Sequence, residues 1–187
     1  MEYIFLGILG FGFFLGFDIC SFLQRNKCKY VFGIIGLAFL LIPTTLIISQ
    51  NTTVIFEESL SFFAYIVSLI FFALLIYSVF VEVGKNNYEF SAKPKLVTDG
   101  TYSLVRHPGV IWFLFTYLFA SIAFESWILF YASISWTVVN ILYTIIQEKL
   151  ILYKVFQEYK DYIRSTPMFI PNITSIKRFI TLDNWRK

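Results

Sequence analysis

The chain of 187 residues is 58% hydrophobic and 21% aromatic, and only 14% of its residues are charged, with a net charge of +3. Its mean hydropathy is +0.71, whereas a soluble domain carries about 25% charged residues. This composition excludes a soluble globular domain and predicts an integral membrane protein. Because the two cysteines have no ligand spacing, we expect no metal site, and nothing in the sequence points to a nucleic-acid partner.

Five apolar segments are long enough to cross a bilayer, which takes roughly 20 helical residues. In chain order they are Tyr3–Leu23, Tyr30–Ile48, Leu60–Val83, Pro108–Phe124 and Trp127–Ile146. The sequence therefore predicts an all-α protein with five transmembrane helices in a single membrane domain. Its parts are three N-terminal helices (1–83), a polar connector (84–107), a tight antiparallel helical hairpin (108–146), a motif helix (147–171) and a basic tail (172–187).

The basic residues indicate how the chain is oriented. All fifteen lysines and arginines fall within residues 24–29, 84–107 and 147–187, which alternate with the apolar segments on one predicted side. The connecting segments of the opposite side carry only acids, which are Glu2, Glu57, Glu58 and Glu125. The positive-inside rule then places the N-terminus outside and the C-terminus in the cytosol. We expect a multi-pass protein of the plasma membrane in a bacterium, or of the endoplasmic reticulum in a eukaryote.

The only histidine, His107, lies in the polar stretch Gly100–Pro108 at the end of the connector. Pro108 suits the first turn of a helix, where the missing N–H costs no hydrogen bond. Arg106 and His107 are therefore expected at a helix N-terminus, where the helix dipole favours an anionic group. Because His107 and Glu148 lie at similar distances from the hairpin turn, we expect His107, Arg106 and Glu148 to meet near the cytosolic interface. The alternative is that Glu148 is an ordinary solvated residue at a helix end.

The segment after the hairpin predicts an amphipathic helix. Apolar residues recur at three- and four-residue spacing across Gln147–Arg164, so that this stretch reads as one helix lying along the membrane surface on the cytosolic side. The sequence Thr166-Pro167 ends it, and the basic remainder of the tail is expected to contact anionic lipid headgroups.

Asp18 is an acidic residue within the first apolar segment. Acids inside a membrane segment are candidates for a functional role. Asp18 also lies near the cytosolic end of its segment, where pairing with Arg25 or Lys27 costs little. Both interpretations stay open from the sequence.

Three pieces of the second half of the chain carry a resemblance to a known family. They are Gly100-x-Tyr102-x-x-Val105-Arg106-His107-Pro108, the acidic position Glu148, and Glu158-Tyr159-x-x-Tyr162-x-x-x-x-Pro167-x-x-Ile170-Pro171. In order and spacing they resemble the isoprenylcysteine carboxyl methyltransferase family, which includes bacterial phospholipid methyltransferase-like proteins. The resemblance extends from Gly100 to Pro171, while the first three helices match only as membrane spans.

The resemblance implies methyl transfer that depends on S-adenosylmethionine, with the site facing the cytosol and a lipophilic substrate entering from the bilayer among membrane lipids. It implies catalytic roles for two residues. Glu148 would hold the amino group of the cofactor, and Arg106 would orient a substrate anion or brace the site. The implied cofactor contacts are Tyr102, Val105, His107, Pro108, Gln147, Glu148, Tyr159 and Tyr162.

Four positions depart from the family pattern. Val110 replaces a common tyrosine, Trp112 and Phe156 replace glycines, and Gln147 replaces the first member of an acidic pair. These departures sustain an alternative in which the chain keeps the fold of the family without turnover.

A second alternative is a membrane reductase that uses NADPH. Related sterol and steroid reductases have a similar arrangement around a histidine-proline pair. Lys93, Lys95 and Arg106 would supply the positive charge that the 2′-phosphate of this cofactor needs.

Overall fold

The first half of the chain forms three long helices in a computed structural model that describes residues 2–50, 58–84 and 95–181. Helix α1 covers Glu2–Phe22, and α2 covers Asn26–Ser49. Helix α3 covers Glu58–Ile76 and continues as a π-helical stretch over Tyr77–Glu82. Residues 85–94 of the connector and 182–187 of the tail, which include Lys93, lie outside the described ranges.

The second half forms a helical hairpin followed by shorter helices. A single turn, α4, covers Thr101–Leu104 and precedes α5, which covers Pro108–Ala123. Helix α6 covers Trp127–Gln147, continues through a π-helical stretch at Glu148–Leu152, and ends in one turn at Tyr153–Val155. The last two helices are α7 at Tyr159–Ser165 and α8 at Ile173–Ile180.

Among the described residues, four helices have the length and apolarity to cross a membrane. They are α1, α2, α3 with its π-helical stretch, and α6 with its extension to Val155. Helix α5 has 16 residues and is about 24 Å long at 1.5 Å per residue, less than the roughly 30 Å of a hydrocarbon core. The all-α prediction is confirmed for the described residues, while the fifth crossing and the orientation stay predictions.

Small residues allow the helices of the bundle to approach closely. Helix α1 packs on α2 and α6, α3 packs on α5, and α5 packs on α6. The indole ring of Trp136 is fully buried against the backbone of Gly7, and its Nε1 donates a hydrogen bond to the Ile4 carbonyl oxygen at 2.8 Å. This contact satisfies the polar atom of a large aromatic side chain inside the bundle, and it locks α6 against α1.

The turn between α5 and α6 closes the predicted hairpin. Glu125 adopts a left-handed backbone conformation with a φ of +53°. The hydroxyl of Ser126 then caps α6 by accepting a hydrogen bond from the Leu129 backbone N–H at 3.3 Å. The far ends of the two helices meet, because His107 at the start of α5 contacts Glu148 beyond the end of α6. The predicted hairpin is therefore confirmed.

Asp18 joins the ends of α1 and α6. Its carboxylate accepts hydrogen bonds from the Tyr143 hydroxyl and from Gln147 Nε2, the latter at 2.8 Å. The alternative that Asp18 pairs with Arg25 or Lys27 is wrong, since both basic side chains are exposed and the partners of Asp18 come from α6. This contact places the basic turn between α1 and α2 at the same end of the bundle as His107 and Glu148.

The predicted single helix over Gln147–Arg164 is broken. Phe156 is extended, with φ −112° and ψ 113°, and α7 starts only at Tyr159. Tyr159 and Tyr162 belong to the apolar spacing that predicts a face on the membrane surface, but both are buried within the protein. A break at Phe156 lets α7 fold back, and the hydrogen bonds that these two tyrosines make there outweigh continuity of the helix.

We predict that Gly7→Ala destabilises the bundle, because the added Cβ would overlap the indole ring of Trp136. Overpacking of this kind costs roughly 1–3 kcal/mol. The matched control is Gly12→Ala on the same helix, where no heavy atom lies within 4 Å of the added Cβ. Thermal unfolding of the two variants in detergent compares them, and equal midpoints would contradict the packing described for α1 and α6.

Candidate functional site

A buried glutamate that the sequence analysis missed holds the start of the polar corner, which we define as residues 100–108. Glu82, at the end of α3, accepts hydrogen bonds from the Thr101 backbone N–H at 2.9 Å and from the Thr101 hydroxyl. Gly100 is left-handed with a φ of +59°, and a Cβ at this position would overlap the Glu82 carboxylate. The glycine of the motif is thus needed for both its backbone conformation and the close approach of Glu82.

The corner is paired with the tail through the backbone. Val105 is extended and fully buried. The next two backbone N–H groups, of Arg106 and His107, donate to the carbonyl oxygens of Pro167 at 2.9 Å and Met168 at 3.2 Å. These bonds hold the Gly100–Pro108 stretch against the Pro167–Pro171 end of the tail, although the two stretches are far apart in the sequence.

Pro108 occupies the first turn of α5, as the sequence predicted. It is fully buried. Pro108 and Val105 therefore shape the backbone of the corner, and neither lines the pocket described below.

A single carboxylate oxygen gathers three side chains at the centre of the site. Glu148 Oε1 lies 3.0 Å from Arg106 Nε, 2.8 Å from His107 Nε2 and 2.7 Å from the Tyr159 hydroxyl. Since an ionised carboxylate only accepts hydrogen bonds, His107 carries its proton on Nε2. The predicted meeting of Arg106, His107 and Glu148 is confirmed. Glu148 is buried, so the alternative of a solvated helix end is wrong.

The tail closes over this cluster. Arg106 Nη1 also donates to the Thr166 carbonyl oxygen at 2.6 Å, and the Tyr162 hydroxyl donates to the Tyr102 carbonyl oxygen at 2.6 Å. Burial, together with the neighbouring Glu148 carboxylate, raises the pKa of Tyr159 above its usual range. Tyr159 therefore remains a protonated donor to Glu148.

A cavity of about 200 Å³ opens beside the cluster. Six of the residues implied by the resemblance line it, and they are Tyr102, Arg106, His107, Gln147, Tyr159 and Tyr162. Glu148 does not belong to the lining, and its carboxylate contacts Arg106, His107 and Tyr159 behind it. Lys95 and Val97 of the connector also line the cavity, and no spacing signal in the sequence marked Val97.

The departures from the family pattern lie in different places. Val110 is buried in α5, and Trp112 stacks on Phe71 of α3 with ring centroids 6.0 Å apart. Neither lines the pocket. Gln147 and Phe156 do line it, so only these two departures can alter contacts with a ligand.

Comparisons of the chain with models of protein families, with curated proteins and with solved structures found no match.

We predict that Glu148→Ala unfolds the corner, because it leaves the buried Arg106 guanidinium without its carboxylate. Loss of one partner of a buried pair costs roughly 3–5 kcal/mol. The matched control is Asp161→Ala, because Asp161 pairs with Arg164 where both side chains are 82% exposed, against 9% for Arg106 and Glu148. Denaturant titration in detergent compares the variants, and an equal loss in both would contradict the buried cluster.

Proposed function

We propose that this chain transfers a methyl group from S-adenosylmethionine to a lipophilic acceptor at the cytosolic face of a membrane. One observation carries the proposal. The first and last of the three sequence pieces that resemble the isoprenylcysteine carboxyl methyltransferase family lie far apart in the chain, yet residues of both line one pocket, and the second piece, Glu148, is hydrogen-bonded to residues of both. The basic residues around this end of the bundle support a site that faces the cytosol.

The residues around the pocket have the chemistry that S-adenosylmethionine requires. This cofactor carries a carboxylate, an ammonium group, a sulfonium and an adenine ring. Lys95 and Arg106 suit the carboxylate, and the rings of Tyr102, Tyr159 and Tyr162 suit stacking and contact with a cation. The cavity is smaller than the roughly 300–1,000 Å³ of typical ligand pockets, so we expect the bound form to be wider.

The acceptor is proposed to enter between the ends of α3 and α6. Val83, Leu152 and Phe156 add apolar side chains to the pocket lining on that side. When bound, S-adenosylmethionine supplies an electrophilic methyl group that moves to the acceptor by in-line displacement. The task of the protein is then to hold the two reactants in line and to exclude water.

The ionisation state of Glu148 determines whether it could take a proton from the acceptor. Three donors stabilise its ionised form, which makes Glu148 a weak base. A carboxylate acceptor is already ionised at neutral pH and needs no base. For an amine or thiol acceptor, we assign the base to Nδ1 of His107, since Nε2 is committed to Glu148.

One observation favours a second candidate, a reductase that uses NADPH. Lys95 is a cation in the pocket lining and would suit a 2′-phosphate. The two candidates differ in the cofactor that they bind, so a single set of binding measurements separates them.

We predict that the purified chain in nanodiscs binds S-adenosylmethionine and S-adenosylhomocysteine saturably, and that NADPH does not bind. Isothermal titration calorimetry measures all three. His107→Ala should weaken the affinity for both adenosyl ligands about tenfold or more, because His107 lines the pocket and also orients Glu148.

Lys160→Ala is the control, since Lys160 is an exposed cation of α7, and it should bind like the unchanged chain. Thermal unfolding without ligand verifies that both variants are folded. Binding of NADPH alone would favour the reductase. Equal affinities of His107→Ala and the unchanged chain would contradict the site.

A further inference from the structure

A second polar network lies behind one wall of the pocket and has no role in the function proposed so far. Asp18 of α1 accepts hydrogen bonds from the Tyr143 hydroxyl and from Gln147 Nε2, the latter at 2.8 Å. Gln147 Nε2 also donates to the Tyr143 hydroxyl oxygen at 3.2 Å. Gln147 itself lines the pocket.

The network determines which atom of Gln147 a ligand can use. An ionised carboxylate has no hydrogen to donate, so Gln147 must turn its amide N–H groups towards Asp18. The amide nitrogen is then committed to Asp18 and Tyr143. Among the described residues, the side-chain carbonyl oxygen accepts no hydrogen bond, and it is not enclosed away from solvent. It is the atom of this side chain that remains for the pocket.

We infer that Gln147 forms an acceptor subsite for an ammonium or amino group of the ligand, and that Asp18 is the positioning residue that keeps the carbonyl oxygen turned to the pocket. The negative charge of Asp18 stands behind this subsite, in surroundings where charges are poorly screened. The cations Lys95 and Arg106 also line the pocket. A ligand that carries both an ammonium and a carboxylate is thereby given one orientation.

This inference rests on the proposed function for the identity of the ligand, S-adenosylmethionine. It also accounts for a departure from the family pattern. Where the resemblance leads us to expect an acid, the chain has the neutral Gln147, and Asp18 supplies a negative charge from the neighbouring helix. An amide oxygen held in this way accepts from an ammonium without placing a second carboxylate beside Asp18.

The test compares two probes that differ in one group, S-adenosylhomocysteine and its analogue without the α-amino group. Calorimetry in nanodiscs measures both with the unchanged chain, Asp18→Asn and Gln147→Met. We expect the unchanged chain to prefer the amino probe about tenfold, as for one hydrogen bond to a charged group. Both variants should lose this preference and keep their affinity for the analogue. Asp161→Asn, the same change at an exposed carboxylate, should keep the preference.

Two results would overturn the subsite. One is an equal loss of affinity for both probes in Asp18→Asn and Gln147→Met, which would indicate a purely structural role. The other is a preference for the amino probe that survives in both variants.

A separate measurement judges the subsite if the unchanged chain binds neither adenosyl probe, in which case the proposed function fails. The side-chain amide signals of ¹⁵N-glutamine-labelled protein are followed by NMR during titration with benzylammonium and with benzyl alcohol. Saturable shifts of the Gln147 signals with benzylammonium alone, absent in Asp18→Asn, would support the subsite. Signals unchanged by both compounds would overturn it.

Discussion

The junction between the polar corner and the tail depends on the contacts of one carboxylate oxygen. Glu148 Oε1 collects donors from the corner before α5 and from α7 after the break in the tail. A buried carboxylate requires donors and a buried guanidinium requires an anion, so the corner and the tail can adopt this arrangement only together. The backbone bonds from Arg106 and His107 to Pro167 and Met168 then fix how the tail crosses the corner.

Acids that accept hydrogen bonds from neighbouring residues occur at three places around the pocket. Three acids on three different long helices each accept hydrogen bonds from the protein and hold a part of the pocket wall. Glu82 of α3 fixes Thr101 and so Tyr102, Glu148 of α6 holds three wall residues, and Asp18 of α1 holds Gln147. The pocket therefore has polar walls whose positions are set by the helical bundle. Such preorganisation suits a reaction in which alignment and exclusion of water supply most of the rate.

The sequence contained enough to locate the centre of this site and too little to describe its walls. Matching distances from the hairpin turn were sufficient to bring His107 to Glu148, because helix geometry is regular over that span. The break at Phe156 could not be predicted from the sequence, because apolar residues continue at helical spacing through it. The conformation there is decided by the tertiary hydrogen bonds of Tyr159 and Tyr162. The role of Glu82 could not be predicted for a related reason, since its partner Thr101 lies 19 residues further along the chain and no local pattern links the two residues.

The most direct test of the proposed methyl transfer at this pocket follows the methyl group itself. The purified chain in bilayers is given S-adenosylmethionine with a radiolabelled methyl group, together with either a lipid extract of the source organism or a farnesylated cysteine. We predict that label enters the fraction extracted by organic solvent and that His107→Ala abolishes this transfer, whereas Asp161→Asn does not. A folded chain that binds the cofactor but labels neither acceptor, or labels it equally with His107→Ala, would contradict the account.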